Sequence, residues 1–304
     1  MTRVDCHQHV WPDALVAGLR RRSRPPYLDG DVLHLAGEPP HVVDPAVLTP
    51  SVRDDVDLAL VSLSSPLGIE TLPPDEATPL LDAWHGLAAD LGDSHGLWAA
   101  VNLVEPDLEG LRTTLETANV HGLQVPATAL LDPVGLERLA PVLAVVEDAD
   151  LPVLVHPGPA PAPPGPAGST RAADVPGWWP ALTSYPAQQA SAWFAWHLAG
   201  RALLPDLRIA FVALAGLAPL HHERLVARGG TFGSVDRHVY YETSSYGPRA
   251  IDAMVRVVGV DPVVHGSDLP YAVPSSTTGP GMGEALSHAL LTANPHHLMN
   301  GGLR

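Results

Sequence analysis

The spacing of apolar and polar residues divides the chain into short β-type runs that alternate with longer stretches of helical period. The short runs are 3–9, 57–63, 97–103, 122–125, 152–156, 207–214, 238–242 and 262–267. Several have no polar alternation, Val153-Leu154-Val155 among them, as parallel strands buried on both faces require. Helical stretches fall between them at 76–91, 107–119, 133–148, 186–200, 217–228, 248–259 and 283–298. Eight β/α alternations predict an α/β fold of the (β/α)8 TIM-barrel type, with residues 1–304 forming a single domain. A doubly wound open sheet is the alternative, and the glycine-rich turn it usually carries after its first strand is absent.

Such a barrel uses about 250 residues, and the surplus lies in insertions after strands one and five. The first spans 10–50, where 31–35 and 41–43 flank Gly37-Glu38-Pro39-Pro40 as a small hairpin. The second, 158–168, is so rich in proline and alanine that neither helix nor sheet is expected. Both follow strands, so both belong at the barrel mouth. No repeat of 20 to 50 residues and no linker divides the chain.

Composition removes several chemistries. The 304 residues carry 17 basic and 33 acidic side chains, a formal net charge of −16, and every basic residue is arginine. Without lysine there is no Schiff base, no P-loop and no carbamylated bridge between two metals. An acidic chain with 5% aromatics lacks a nucleic-acid footprint and is repelled by anionic membranes, so neither partner is expected. No run approaches the length of a membrane span, no apolar leader opens the chain, and Cys6 is the single cysteine, which together point to the cytoplasm. Any metal therefore has to be held by His and Asp or Glu.

Asp5-Cys6-His7-Gln8-His9 closes the first strand, and a period of two places His7 and His9 on one face with Cys6 and Gln8 turned away. His156 closes the fifth strand and Gly266-Ser267-Asp268 the eighth. Since all strand carboxyl ends face one rim, His7, His9, His156 and Asp268 can meet over the axis, as ligands for one divalent ion, Zn²⁺ first and Mn²⁺ or Fe²⁺ next.

Val4-Asp5-Cys6-His7-Gln8-His9, residues 151–158 and Gly266-Ser267-Asp268-Leu269-Pro270 resemble the amidohydrolase superfamily, and more narrowly its amidohydrolase-2 branch. Tyr240-Tyr241-Glu242-Thr243-Ser244 is similar to that branch's seventh-strand segment, and His7-Gln8-His9-Val10-Trp11-Pro12 to its sugar-lactonase relatives. The branch includes aminocarboxymuconate-semialdehyde decarboxylase-like enzymes, other non-oxidative decarboxylases of aromatic acids, and hydrolases, hydratases and lactonases. The resemblance implies that His7, His9 and His156 hold one metal and that Asp268 is both ligand and catalytic proton shuttle for a metal-bound water. It also implies a histidine at the end of strand six, where Leu214 stands instead.

The leading expectation is thus a metal-dependent hydrolase of a small amide, lactone or cyclic ester. The alternative is a decarboxylase (a lyase) of a small aromatic or unsaturated acid, which tolerates Leu214 better because no hydroxide is needed. A metal-free lactonase and a catalytically silent binding protein complete the set. Further substrate-binding candidates are Trp178 and Trp179 after strand five, Glu242 closing strand seven and His265, which a bulge would have to turn inward. One arginine of Arg20-Arg21-Arg22-Ser23-Arg24 is a candidate carboxylate clamp. The expected partner is a small-molecule substrate, with a homodimer possible.

Overall fold

The computed structural model describes residues 2–36, 38–51, 53–160, 176–273 and 283–301. Strand β1 (Val4–His9) leads into an insertion holding helix α1 (Asp13–Arg20) and an antiparallel sheet of β2 (Tyr27–Asp29), β3 (Val32–His34) and β4 (His41–Val42). The expected hairpin is β3–β4. Helix α1 was not expected, although Leu15, Val16 and Leu19 bury one face at helical spacing and Asp13 sits in its first turn. Seven strands then join β1 in one parallel sheet: β5 (Leu58–Ser62), β6 (His95–Ala99), β7 (Val120–Pro126), β8 (Val153–His156), β9 (Ile209–Phe211), β10 (Val239–Glu242) and β11 (Val263–Val264). The circle closes where Cys6 N–H donates to the His265 carbonyl (2.9 Å) and His9 N–H to the Leu269 carbonyl (2.7 Å). All eight expected strands are present, and the chain is a (β/α)8 barrel.

The helices lie between strands: α2 (Pro74–Gly86), α3 (Leu108–Leu115), α4 (Pro133–Asp148), α5 (Trp179–Ala195), α6 (Arg201–Leu203), α7 (His222–Ala227), α8 (Pro248–Val258), α9 (Gly283–His288) and α10 (Asn294–Asn300). Asp107 and Asp132 cap α3 and α4 by accepting from the N–H groups of Gly110 and Gly135, and Pro133 opens α4, where a missing N–H costs nothing. Helix α5 begins seven residues before the expected start, because Pro186 sits inside it rather than at its first position. Residues 161–168 of the proline-rich insertion lie outside the described residues.

One apolar layer fills the space between sheet and helices, and a second fills the barrel itself. The inner layer includes Val4, Cys6, Leu60, Trp98, Leu154, Ala210, Val212, Tyr240 and Val264. Cys6 therefore points inward, not away as the period of two implied. The reason is a β-bulge: Asp5 pairs with Ala59 and Gln8 with Val61, so Cys6 and His7 both oppose Leu60. Burial beside Asp5 and Glu242 holds the Cys6 thiol well above its ordinary range, so it is a neutral core residue.

After β9 the chain turns sharply. Ala213, Leu214, Ala215, Gly216 and Leu217 all have left-handed φ, between 49° and 64°. Strand six ends earlier than expected for this reason, and the turn decides which residue faces the site.

Candidate metal centre

His7, His9 and His156 converge above the apolar floor, each ring edge-on to the other two with centroids 4.9, 5.0 and 5.1 Å apart. Their ligand nitrogens all lie within 4.8 Å of one another, and His7 Nε2 is 3.0 Å from His9 Nε2. Asp268 completes the set, with Oδ1 3.2 Å from His9 Nε2 and 3.8 Å from His7 Nε2. The histidines are buried, while the Asp268 side chain keeps 21% exposure and is the one that opens to solvent. All four residues expected to meet at the rim do so.

Each imidazole is oriented from behind. His9 Nδ1 lies 2.9 Å from the Ser62 carbonyl and His156 Nδ1 2.9 Å from the Pro157 carbonyl, so both donate there and leave Nε2 free as a lone pair. His7 Nδ1 faces Glu242 Oε2 at 3.3 Å. Burial pushes His9 down, as does the neighbouring His7, and burial together with both neighbours pushes His156 far down. Burial opposes a charge on His7 too, but Glu242, Asp268 and Asp5 outweigh it and hold His7 above its ordinary value. Two unprotonated nitrogens forced together at 3.0 Å repel unless a cation or proton lies between them. Three imidazoles and a carboxylate therefore fit a divalent metal by donor chemistry as well as by position.

Glu242 is fully buried, and its oxygens accept from the Ser244 hydroxyl (2.7 Å) and the Ala213 N–H (3.3 Å) as well as facing His7. It stands behind a ligand rather than before a substrate. His265 is also displaced from the expected role. Val264 belongs to the inner layer, so His265 points outward, with its Nε2 2.7 Å from Arg53 Nη1. The bulge that could have turned such a residue inward lies in β1 instead. Leu214 packs in the outer layer, whereas Ala213 touches the inner one. Val212 lies buried in the same inner layer, and neither it nor Ala213 offers an imidazole. Trp178 and Trp179 stand at the start of α5, about half exposed, with ring centroids 5.9 Å apart. Arg22 and Arg24 both bind Glu76 of α2.

Sequence reasoning missed Tyr271, whose ring meets His9 edge-on at 5.0 Å, and Ser64, which links Trp11 Nε1 (3.0 Å), His9 Nδ1 (3.3 Å) and the Tyr271 hydroxyl (3.3 Å). Tyr271 follows Asp268 by three positions, and that proximity was the available signal.

No family model matches the chain, and no similar curated protein is found. Solved structures do match. The Metarhizium anisopliae IDCase in apo form is 20% identical with a TM-score of 0.70, over 98% of this chain and 97% of that one. The 5-carboxyvanillate decarboxylase of Sphingomonas paucimobilis is 18% identical with a TM-score of 0.73, over 98% of both chains. That of Novosphingobium aromaticivorans, complexed with manganese and 4-hydroxy-3-methoxy-5-nitrobenzoic acid, is 14% identical with a TM-score of 0.69, over 98% of this chain and 96% of that one. Such neighbours accord with the branch that the sequence motifs resemble, and over almost its whole length the chain carries their barrel fold.

Proposed function

We infer that the protein is a divalent-metal-dependent, non-oxidative decarboxylase of a small aromatic or unsaturated carboxylic acid. The observation that carries this reading is the meeting of His7, His9, His156 and Asp268 at the open rim, with only apolar side chains, Val212 and Ala213, following strand six on the inner layer. Hydrolysis, the first expectation from sequence, asks for a second base to orient water, and neither Val212 nor Ala213 after strand six provides one. The decarboxylases among the structural neighbours, one of them with manganese, favour the same choice.

A divalent cation held by these four residues supplies Lewis-acid polarisation of the substrate's carboxylate or of a hydroxyl beside it, and the nitrogen and oxygen donors suit Mn²⁺, Fe²⁺ or Zn²⁺. His9 and His156, fixed through Nδ1, present Nε2 without a proton. Glu242 holds His7 in place from the closed side. Asp268, the most exposed of the four, carries the proton. When the bond to the carboxylate breaks, its electron pair stays on the substrate carbon, carbon dioxide leaves, and that carbon takes a proton from the Asp268 carboxyl. The edge of Tyr271 walls the His9 side against a flat substrate.

The test is carbon dioxide release from a panel of hydroxylated benzoates by manganese-loaded protein, beside ester and lactone hydrolysis under the same conditions. Carbon dioxide release that Asp268→Asn abolishes supports the reading. Hydrolysis without it transfers the site to the hydrolase class, and no turnover of either kind leaves a silent binding protein.

A further inference from the structure

His7 and His9 face the barrel axis only because β1 is bulged. Val4 and Cys6 already point inward, so an unbroken period of two would send His7 and His9 to the outer face, among the helices. The extra residue opposite Leu60 reverses the alternation. Three outward-facing side chains meet at that irregularity. Gln8 Nε2 donates to Asp5 Oδ2 at 3.0 Å and so ties the two residues that flank the bulge. Asp5 Oδ1 accepts from the N–H of His7, inside the bulge, at 3.2 Å and from the N–H of Ser267, beside Asp268, at 2.9 Å. Arg53 reaches Asp5 Oδ2 at 3.4 Å and His265 Nε2 at 2.7 Å, and is anchored in turn on Asp55 at 2.8 Å.

We propose that Asp5, Gln8 and Arg53 form a clamp outside the barrel that sets the geometry of the metal centre, acting as positioning residues for His7, His9 and Asp268. One buried carboxylate touches two of the three backbone segments that carry the rim residues, and Arg53 supplies the opposite charge that such a carboxylate needs. This rests on the reading of the four rim residues as a metal centre, and the experiment separates the two.

The variants are Gln8→Met, Arg53→Gln and Arg53→Lys. Gln8 Oε1 has no partner, so Gln8→Met removes a single bond. Manganese affinity is read from the electron paramagnetic resonance signal of free Mn²⁺, and stability from thermal melting. Gln8→Met is expected to weaken Mn²⁺ binding about 10–100-fold with little change in melting temperature, Arg53→Gln to weaken it as far while also lowering the melting temperature by leaving Asp5 without its cation, and Arg53→Lys to recover most of the affinity. Affinities within about twofold of the parent protein overturn the clamp. So does a fall in affinity that tracks a fall in melting temperature and that Arg53→Lys does not reverse. If the parent protein binds no Mn²⁺, the metal reading fails, and the clamp is judged by amide hydrogen exchange. Arg53→Gln should then speed exchange at His7 and Ser267, and unchanged protection overturns it.

Discussion

Strand β1 and the turn after β9 reach the same rim by opposite means. In β1 one extra residue reverses the strand's facing, and polar side chains hold the irregularity through at least five hydrogen bonds to Asp5 and Arg53. After β9 five consecutive residues take left-handed φ with only Gly216 suited to it, at a cost of roughly 1–2 kcal/mol for each of the others. Packing holds that turn, since Leu214 and Ala215 are fully buried and Gly216 lies against the Pro186 carbonyl. The difference is one of role. β1 brings His7 and His9, the proposed ligands, to the rim, and the β9 side contributes an N–H, from Ala213 to Glu242.

The largest effects should arise at the seam where β1 meets the stretch after β11. The double variant His7→Ala/His9→Ala is expected to fall from about one metal equivalent to none by plasma mass spectrometry. Asp268→Asn should lower carbon dioxide release by roughly 10²–10⁴-fold, the range for a lost proton donor, while metal remains bound. A normal rate in either variant would break the assignment of chemistry to this seam. On the β9 side the expected loss is of stability. A Cβ on Gly216 would collide with the Pro186 carbonyl oxygen, so Gly216→Ala should cost on the order of 3 kcal/mol in urea unfolding. Parent-like unfolding would mean that the turn is not held by packing.

Glu70 sharpens the contrast, because it is a buried carboxyl whose partners among the described residues are neutral, Ser65 and Gln124. Burial raises it from 4.5 to about 7, although Ser65 and Gln124 pull the other way and the Ser65 hydroxyl donates to it. The folded chain then keeps a proton that the unfolded chain releases near 4.5, so this group's contribution is full below that pH and is lost as pH rises through about 7. Glu70→Gln should therefore gain up to ~3 kcal/mol on the parent between pH 5 and pH 8, as read by thermal melts at the two values. A constant difference would count against a buried, proton-bearing Glu70. The smallest effect is reserved for Trp178→Ala. With its ring half exposed, a change within about 0.5 kcal/mol is expected, and a raised KM would instead bring the tryptophan pair into the substrate pocket.

The barrel is legible because buried parallel strands are apolar throughout, as Val153-Leu154-Val155 shows, and the rim residues are legible because His9 and His156 close strands and Asp268 follows the last one. The irregular parts were not. A period of two cannot register one extra residue, so Cys6 was assigned to the wrong face although His7 and His9 were placed together correctly. Nothing in Ala213-Leu214-Ala215 announces a left-handed turn, and that turn is what carries Leu214 into the outer layer, away from the rim position that the sequence implies for it. Ser64 and Tyr271 escaped because they act through one hydroxyl contact between residues 207 positions apart, which no local pattern encodes.

The seam at which the barrel closes has a consequence for how the protein is made. Asp5 and Ser267 lie 262 positions apart, and the four rim residues come together only when the first strand meets the last. During synthesis, at about 5–20 residues per second, the amino-terminal histidines emerge long before Asp268 does. If the four rim residues hold a metal as proposed, a ribosome-bound chain that stops short of the last strand is expected to hold it poorly, and metal capture would follow closure of the barrel.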